Sequence, residues 1–490
     1  MTRLTAATLG ALPASVGTPR YDRAAVRPGV VHLGVGGFHR AHQALYLDRL
    51  LEAGGSDGWG ICGVGVLPGD RRMAEVMAAQ DRLYTLVEKH PDGHRTARVV
   101  GSLVDYRLAP EDPDAVVEAL AAAGTRIVTL TVTEGGYNAS AATGEFDATA
   151  PAVLADLRPG AAPATVFGLV TEALVRRRAR GLAPFAVASC DNVPGNGALA
   201  RHSFAAFAGL RDDALGEWVA REVPFPSSMV DRITPVTTDA DRADLARRFG
   251  VEDRWPVVCE PWTQWVLEDA FPAGRPALED VGVQVVGDVV PYELLKLRLL
   301  NAGHQVLGHL GLLAGHTYVH EATGDPLLRE FLVGYLEEEG TPTLPPVPGT
   351  DLAAYRAAVV TRFGNPHVGD TLARLVEYAS DRLPQFLFPV LRANLAAGGE
   401  VRRSAAVVAA WVHALQRDPD GGPVDARRDR LRSAAHRSRE DPLAPLADRE
   451  LFGDLAGQPR FTAAYRAALD SLRAAGPRAT VEALVRGPLG

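Results

Sequence analysis

The sequence contains few cysteines and no long hydrophobic run. Three cysteines occur in 490 residues, Cys62, Cys190 and Cys259, and they are far apart and odd in number. This pattern argues against a disulfide framework and against a clustered zinc site, and it is typical of a reducing compartment. Because no run reaches about 18 apolar residues, we expect no membrane-spanning helix.

An excess of positive charge and a secretion signal are missing as well. The net charge is −8, whereas a nucleic-acid partner normally leaves a basic footprint. The opening stretch MTRLTAATLGALPASVG lacks a convincing apolar segment and cleavage site for secretion. With 47% hydrophobic and 22% charged residues, the composition is that of a globular protein long enough for two or more domains. We therefore expect a cytoplasmic protein without nucleic-acid or membrane partners.

Strand-like and helix-like segments alternate over the first 285 or so residues. Four apolar runs predict strands: GVVHLGVGG (29–37), GWGICGVGV (58–66), RIVTLTVTE (126–134) and APFAVASCDN (183–192). AHQALYLDRLLEAG (41–54) has helical spacing. Strands alternating with helices indicate a parallel sheet, in which ligands bind at the carboxyl ends of the strands. The polar residues that end these runs are therefore the first candidates for a site.

The strand signal fades after about Pro291. Five later segments have helical patterns: YELLKLRLLNAGHQVLGHLGLL, DPLLREFLVGYLEEE, LAAYRAAVVTRF, DTLARLVEYASDRL and RRSAAVVAAWVHALQR. We predict an α/β domain over residues 1–285 and a mostly helical domain over residues 286–490. The active site is expected between them, since ligand pockets favour domain boundaries.

The segment GVGGFHRAH (34–42) follows the first predicted strand and begins a helix. Glycines in this position let a backbone approach a pyrophosphate at a helix N-terminus. The match to G-x-G-x-x-G is partial, since Gly34 and Gly36 fit but His39 replaces the third glycine. On this pattern alone, dinucleotide binding and a plain strand–helix turn remain equally open. His39 and His42 are interpreted as polar groups at the helix start, with no third metal ligand apparent.

Asp70 is the first acidic residue after the second predicted strand. A carboxylate there can bind the adenosine ribose hydroxyls and repel a 2′-phosphate, which favours NAD over NADP. The neighbouring Arg71 weakens this prediction, because an arginine can accept that phosphate.

The stretch KLRLLNAGH (296–304) places Lys296, Asn301 and His304 in a leucine-rich run. At 100° per residue these side chains and Glu293 share a sector of roughly 140°, which also contains leucines. A solvated helix face would exclude those leucines, so we expect a buried helix whose polar groups are satisfied or functional. A desolvated lysine can serve as a general base near neutral pH, while an amide and an imidazole can stabilise a developing oxyanion.

Taken together, six motifs resemble the polyol-specific long-chain dehydrogenases, the mannitol dehydrogenase family. They are GVGGFHRAHQA, TVTEGGYN, SCDNVPGNG, MVDRITP, CEPWTQWVLED and KLRLLNAGH, and the resemblance extends from about residue 30 to 400. It implies a Rossmann-type dinucleotide-binding domain, a helical second domain and metal-independent NAD(P) chemistry at their interface. The implied reaction oxidises a polyol to a ketose, with D-mannitol to D-fructose favoured by local detail.

The resemblance also assigns roles to residues. Lys296 corresponds to the family's general base, and Asn301 and His304 to its oxyanion donors. Further catalytic candidates are Asn192, near the reacting carbon, and the carboxylates Glu134 and Glu293, which assist proton movement. Asp231 and Arg374 are candidate contacts to substrate hydroxyls, and the candidate cofactor contacts are Gly34, Gly36, Gly37, Phe38, Arg40, Asp70 and Arg382. Asn192 and Asp231 could instead cap turns, and Arg374 could be a surface residue.

Several alternatives stay open at this level. Arg382 stands where many members of the family have lysine, which leaves hexuronate reduction and the use of NADP open. Arabinitol oxidation is a further alternative among the family's reactions. A non-catalytic NAD-binding sensor would lack the catalytic groups, all of which are present. A zinc alcohol dehydrogenase would need metal ligands that the isolated cysteines do not provide. We expect a monomer or a weak oligomer.

Overall fold

The computed structural model describes residues 1–55, 57–139, 144–417, 424–487 and 489. The chain divides into two compact units, Met1–Val290 and Pro291–Gly490. The strands, all in the first unit, are β1 (Thr2–Arg3), β2 (Val16–Gly17), β3 (Pro28–Leu33), β4 (Gly60–Gly65), β5 (Tyr84–Lys89), β6 (Arg95–Val100), β7 (Leu103–Leu108), β8 (Ile127–Leu130), β9 (Ala186–Ser189), β10 (Ser228–Asp231), β11 (Val251–Glu252), β12 (Val257–Cys259), β13 (Gln264–Glu268) and β14 (Gln284–Val286).

Nine α-helices accompany these strands in the described part of the first unit. They are α1 (Gly37–Ala41), α2 (Gln43–Glu52), α3 (Arg71–Ala79), α4 (Pro113–Ala121), α5 (Pro151–Asp156), α6 (Val166–Ala179), α7 (Asn196–Arg211), α8 (Asp213–Glu222) and α9 (Asp239–Phe249).

The central sheet has five parallel strands in the order β7-β4-β3-β8-β9. This is the Rossmann order: β3 lies in the middle, and the chain adds strands first on one side of it and then, from β8, on the other. Successive side chains of a strand point to opposite faces, so Val31 packs into one hydrophobic cluster with α6 while Val30 packs into another with α2. Helices therefore cover both faces, and the predicted parallel sheet is confirmed.

Three smaller sheets complete the first unit: β12-β5-β6-β2, β10-β13-β14 and the pair β1-β11. These sheets are missing from the prediction, as is β7 of the central sheet. Many of their strands have only two to four residues, too few for an alternating pattern to emerge from the sequence.

The second unit consists of helices joined by loops in its described residues. Its α-helices are α10 (Val290–Leu295), which begins at the boundary, α11 (Ala302–Leu313), α12 (Val319–Gly324), α13 (Pro326–Gly334), α14 (Leu352–Phe363), α15 (Leu372–Val376), α16 (Ala379–Arg382), α17 (Phe388–Ala397), α18 (Arg402–Arg417), α19 (Arg428–Arg437), α20 (Arg449–Phe452) and α21 (Pro459–Arg486). The predictions for α14 and α18 are confirmed. No helix in the described ranges combines the length and apolar character needed to cross a bilayer.

Two of the helical predictions need correction. DTLARLVEYASDRL is divided, because Tyr378 adopts left-handed backbone angles between α15 and α16. The long segment around Lys296 is interrupted as well: residues Lys296–Asn301 form a π-helical turn between α10 and α11. Two further π-helical segments, Tyr335–Gly340 and Leu383–Leu387, pack against that turn.

Candidate active site

The turn after β3 requires glycine at its first position. Gly34 has φ +96°, and a Cβ built there would lie 2.2 Å from the carbonyl oxygen of Thr131, which follows β8. The two strand ends thus approach each other at the point where the strand order reverses. Open α/β sheets bind their ligands in the crevice at this point.

Gly36 and Gly37 form the start of α1 and leave space beside the backbone. A Cβ at Gly36 would meet no atom nearer than 4.0 Å, and one at Gly37 none nearer than 3.8 Å. Phe38 stacks on His42 at a centroid distance of 5.0 Å. Arg40 is buried, and its guanidinium donates hydrogen bonds to the carbonyls of Gly36 and Trp255. Its guanidinium therefore supports the turn from inside.

Asp70 holds the turn that follows β4. Its Oδ2 accepts hydrogen bonds from the backbone N–H groups of Val66 and Leu67, both at 2.9 Å. The guanidinium of the adjacent Arg71 forms an ion pair with Glu111. The carboxylate is thus fixed in position, and the nearest positive charge in sequence already has a partner.

The loop that carries Glu134 is strained and braced. Thr133 has φ 63° and ψ 172°, a region of backbone space essentially reserved for glycine. The carboxylate of Asp191 accepts the N–H groups of Val132 at 3.1 Å and of Thr133 at 2.8 Å, and the hydroxyl of Tyr137 at 2.7 Å. Burial raises the pKa of Asp191, while these donors oppose that rise. Glu134 itself is exposed.

Asn192 follows β9 and Asp231 ends β10, and Asn196 links the end of β9 to the start of β10. The Asn196 amide donates to the carbonyls of Asp191 at 3.1 Å and Ser228 at 2.7 Å, and its oxygen accepts the Ser228 N–H at 3.0 Å. Asn192 is exposed next to Asp191, whereas Asp231, the last residue of β10, is buried. The carboxyl ends of β8 and β9 thus bring Glu134 and Asn192 close in the fold, whereas Asp231 lies three residues beyond Ser228 at the other end of β10.

The histidines near the glycine turn are core residues. The rings of His32 and His39 stack at 3.4 Å, and both side chains are buried. Burial lowers the pKa of His32 to about 3 and that of His39 well below its usual value. Within the described ranges, no three histidine, cysteine or acidic side chains are arranged to hold a metal ion.

In the second unit, the π-helical turn corrects the angular argument made from the sequence. A π-helix closes each hydrogen bond over five residues instead of four. At the α-helical 100° per residue, Asn301 lies about 140° from Lys296; in the observed turn these residues are one hydrogen-bonded turn apart and thus near the same face. Lys296 is 8% exposed, and Leu297, Leu299 and Leu300 are buried with it. The prediction of a buried helix is therefore confirmed, with a tighter grouping of its polar residues.

The other candidate groups on this helix lie within the turn or on either side of it. The Asn301 side-chain oxygen accepts no hydrogen bond from any residue that the structure describes. His304 stacks on Phe363 with ring centroids 4.1 Å apart and an interplanar angle of 20°. Glu293 is half-buried in α10, three residues before Lys296. The stacking fixes the plane of the His304 imidazole, so its ring nitrogens point in defined directions.

Arg374 and Arg382 are linked through backbone and carboxylate groups. Arg374 donates two hydrogen bonds to Asp370, at 2.7 and 2.6 Å. Arg382 donates to the carbonyls of Arg374 at 2.7 Å and Leu375 at 2.8 Å. Gln305, beside His304, donates to the same Leu375 carbonyl at 2.9 Å. Arg374 is exposed on α15, and the bond from Gln305 to Leu375 ties α15 to the helix that carries His304.

Asp191 and Asn196 were not identified from the sequence, although both lie within the SCDNVPGNG motif. Their hydrogen bonds connect positions 32 to 59 residues apart in the chain. Their place directly after a buried strand was the one local signal that could have indicated them.

A parallel Rossmann-type sheet with a glycine turn, joined to a helical unit with a buried lysine, defines a nucleotide-dependent dehydrogenase. The family model described as "Mannitol dehydrogenase Rossmann domain" matches residues 28–280, and "Mannitol dehydrogenase C-terminal domain" matches residues 288–473. The chain belongs to the mannitol dehydrogenase family.

Relatives and solved structures agree with this assignment. Mannitol 2-dehydrogenase of Cereibacter sphaeroides is 46% identical over 94% of this chain and 96% of its own length. Mannitol 2-dehydrogenase of Aspergillus fumigatus is 44% identical over 94% of this chain and 93% of its own length. The structure of Pseudomonas fluorescens mannitol 2-dehydrogenase, a ternary complex with NAD and D-mannitol, matches with a TM-score of 0.89 and 42% identity, covering 99% of this chain and 100% of that one. A substrate-free D-sorbitol dehydrogenase matches with a TM-score of 0.89 and 39% identity, covering 98% and 100%.

Proposed function

We propose that this dehydrogenase oxidises D-mannitol to D-fructose with NAD, using Lys296 as the general base. Family membership and the similarity to mannitol 2-dehydrogenases over nearly the whole chain support the substrate class and the cofactor. The observation that carries the proposal is the buried π-helical turn, in which Lys296 and Asn301 are one hydrogen-bonded turn apart.

The lysine content of the chain strengthens the assignment of the base. Lysine and arginine together number 51, yet lysine occurs only as Lys89 and Lys296. Lys89 forms an ion pair with Asp241 at 2.7 Å, a role that an arginine can also fill. A general base must be deprotonated before it can accept a proton, and a guanidinium does not deprotonate in proteins. The chemistry of proton removal therefore explains why an arginine-rich chain has lysine at position 296.

In the proposed reaction, the substrate loses one proton and one hydride. The Lys296 amine takes the proton from the hydroxyl on C2, and NAD, when bound, would supply the acceptor for the hydride from C2. A C2 carbonyl forms as these bonds break. Asn301 and His304 donate hydrogen bonds to the oxygen while it carries negative charge. Glu293 and Glu134 pass the proton from the lysine to water.

The glycine turn fits a dinucleotide, and its surroundings favour NAD over NADP. The open space beside Gly36 and Gly37 admits a pyrophosphate near the backbone N–H groups. We assign the carboxylate of Asp70 to the ribose hydroxyls, where it would also repel a 2′-phosphate. Arg71 is paired with Glu111, which reduces its ability to attract that phosphate. Phe38 and Arg40 contribute by shaping the turn.

The substrate contacts favour an uncharged polyol. Asn192, Asp231 and Arg374 are proposed to hydrogen-bond its hydroxyl groups. The two hydrogen bonds from Arg374 to Asp370 offset the positive charge of the guanidinium, which weakens its attraction for the carboxylate of an aldonate. The backbone bonds of Arg382 hold it against α15, so we assign it a supporting role there.

A matched pair of lysine substitutions tests the base. Lys296→Arg keeps the positive charge but removes the group that can deprotonate, so turnover with mannitol should fall by about 10²- to 10⁴-fold. Lys89→Arg keeps its ion pair and should retain full turnover. Steady-state kinetics, with NAD affinity measured by fluorescence, separate loss of chemistry from loss of binding. Near-normal turnover of Lys296→Arg at neutral pH would refute the assignment.

A substrate panel tests the rest of the proposal. Mannitol, sorbitol, arabinitol, mannonate and altronate should be compared with NAD and with NADP, and mannitol with NAD should give the highest kcat/KM. A preference for an aldonate would indicate a hexuronate reductase instead. Nucleotide binding without turnover of any member of the panel would favour a sensor.

A further inference from the structure

The backbone of the π-helical turn leaves one carbonyl out of the α-helical pattern. In an α-helix, the N–H of Ala302 would donate to the carbonyl of Arg298, four residues earlier. The Ala302 N–H donates instead to the carbonyls of Leu297 and Leu299, five and three residues earlier. The Ala302 N–H therefore does not bond to the Arg298 carbonyl, which would be its acceptor in an α-helix.

A tyrosine from another helix bonds to this carbonyl. The Tyr335 hydroxyl donates a hydrogen bond to the Arg298 carbonyl at 3.0 Å, and its side chain is fully buried. Burial raises the pKa of Tyr335 well above its usual value, so the phenol stays protonated and remains a donor at physiological pH. Because the Tyr335 hydroxyl bonds to the Arg298 carbonyl, it stabilises the π-helical register, in which the Ala302 N–H donates to Leu297 and Leu299.

Tyr335 is itself firmly placed. It begins the second π-helical segment, Tyr335–Gly340, in which the carbonyl of Glu339 accepts a hydrogen bond from the Asn394 amide at 2.9 Å. The buried Glu339 carboxylate accepts the N–H groups of Arg403 at 2.6 Å and Ser404 at 2.9 Å, at the start of the 16-residue helix α18. A long helix thereby anchors the segment that presents the hydroxyl.

We propose that Tyr335 is a positioning residue whose hydroxyl holds the π-helical turn and so keeps Lys296 and Asn301 near one face of the helix. Without it, the Arg298 carbonyl is free to accept the Ala302 N–H, and the turn can relax toward an α-helix. That change would rotate Asn301 away from Lys296 by several tens of degrees, since five residues span about 140° beyond one full turn of an α-helix. This inference rests on the proposed roles of Lys296 and Asn301.

Two tyrosine-to-phenylalanine variants test the proposal. Tyr335→Phe fills the same volume without the hydroxyl, and kcat for mannitol should fall by about 10- to 100-fold, as expected for a small misplacement of catalytic groups. KM should change by less, because the substrate contacts remain. The matched control is Tyr465→Phe: Tyr465 is also fully buried in the second unit, and its hydroxyl has no hydrogen-bond partner among the described residues. It should keep the wild-type kcat.

A double-mutant cycle separates positioning from general structural support. If the hydroxyl acts by placing Asn301 relative to Lys296, the effect of Tyr335→Phe should largely disappear in an Asn301→Ala background. The same loss of kcat in both backgrounds, or an unchanged kcat for Tyr335→Phe alone, would overturn the inference. Lys296→Arg tests the proposed base independently. If Lys296→Arg were inactive and Tyr335→Phe fully active, the positioning role of Tyr335 would be refuted and the base assignment would stand.

Discussion

The carboxylate of Asp191 accepts the backbone N–H of Thr133 at 2.8 Å, directly before Glu134. Thr133 has backbone angles that cost a β-branched residue about 1 to 3 kcal/mol, and such strain persists only where the surroundings enforce it. The second hydrogen bond from Val132 to the same carboxylate supplies that enforcement. Asp191 therefore fixes the direction in which Glu134 leaves the sheet.

We expect Asp191→Asn to lower both turnover and stability. The amide can accept only on one side, so one of the two backbone N–H groups loses its partner, at a cost of about 1 to 3 kcal/mol in the free energy of unfolding. The freed loop lets Thr133 relax and displaces Glu134. If Glu134 assists proton movement, kcat should fall by about tenfold or more. Steady-state kinetics and thermal unfolding measure the two effects.

Asp156→Asn is the matched control for this change. The carboxylate of Asp156 also accepts two consecutive backbone N–H groups, from Ala164 and Thr165, both at 2.8 Å, and the hydroxyl of Thr165 at 2.6 Å. It ends α5 and holds the turn before α6, and no candidate site residue takes part in these hydrogen bonds. Both variants should lose thermal stability, and only Asp191→Asn should lose turnover. Equal kcat in the two variants would show that Asp191 has a purely structural role.

The parallel sheet and the helical second unit could be predicted because their apolar patterns are local. The same reasoning could not reveal the π-helical turn. KLRLLNAGH contains no proline or glycine within Lys296–Asn301 to indicate an irregular turn. The register depends on Tyr335, 37 residues from Arg298. The brace from Asp191 was missed for the same reason, since its partner Thr133 is 58 positions away.

Asp70→Asn should weaken the discrimination against NADP. The asparagine oxygen can still accept from the N–H groups of Val66 and Leu67, so the turn is retained while the negative charge is lost. The ratio of kcat/KM for NAD over NADP should then fall by about tenfold, which corresponds to roughly 1.4 kcal/mol.

Adding Glu111→Gln releases Arg71 from its ion pair and should lower the ratio further. Glu111→Gln alone is the control, because the repelling carboxylate of Asp70 remains. An unchanged ratio in Asp70→Asn would show that this carboxylate does not face the ribose.

His309 should make the protein less stable in mild acid. It is buried in α11, and burial lowers its pKa to about 3, against about 6.5 in an unfolded chain. Between these values the unfolded state binds a proton that the folded state does not, so the free energy of unfolding falls as pH decreases from 6.5 toward 3. At pH 5 this one histidine should lower the free energy of unfolding by about 2 kcal/mol relative to pH 7.5.

His309→Leu removes that titration, so the difference in unfolding free energy between pH 7.5 and pH 5, measured by urea denaturation, should shrink by that amount. His436→Leu, at an exposed position in α19, should leave the difference unchanged. If both variants lost stability equally between the two pH values, acid sensitivity would have to come from other groups, of which the buried His32 and His39 are the next to replace.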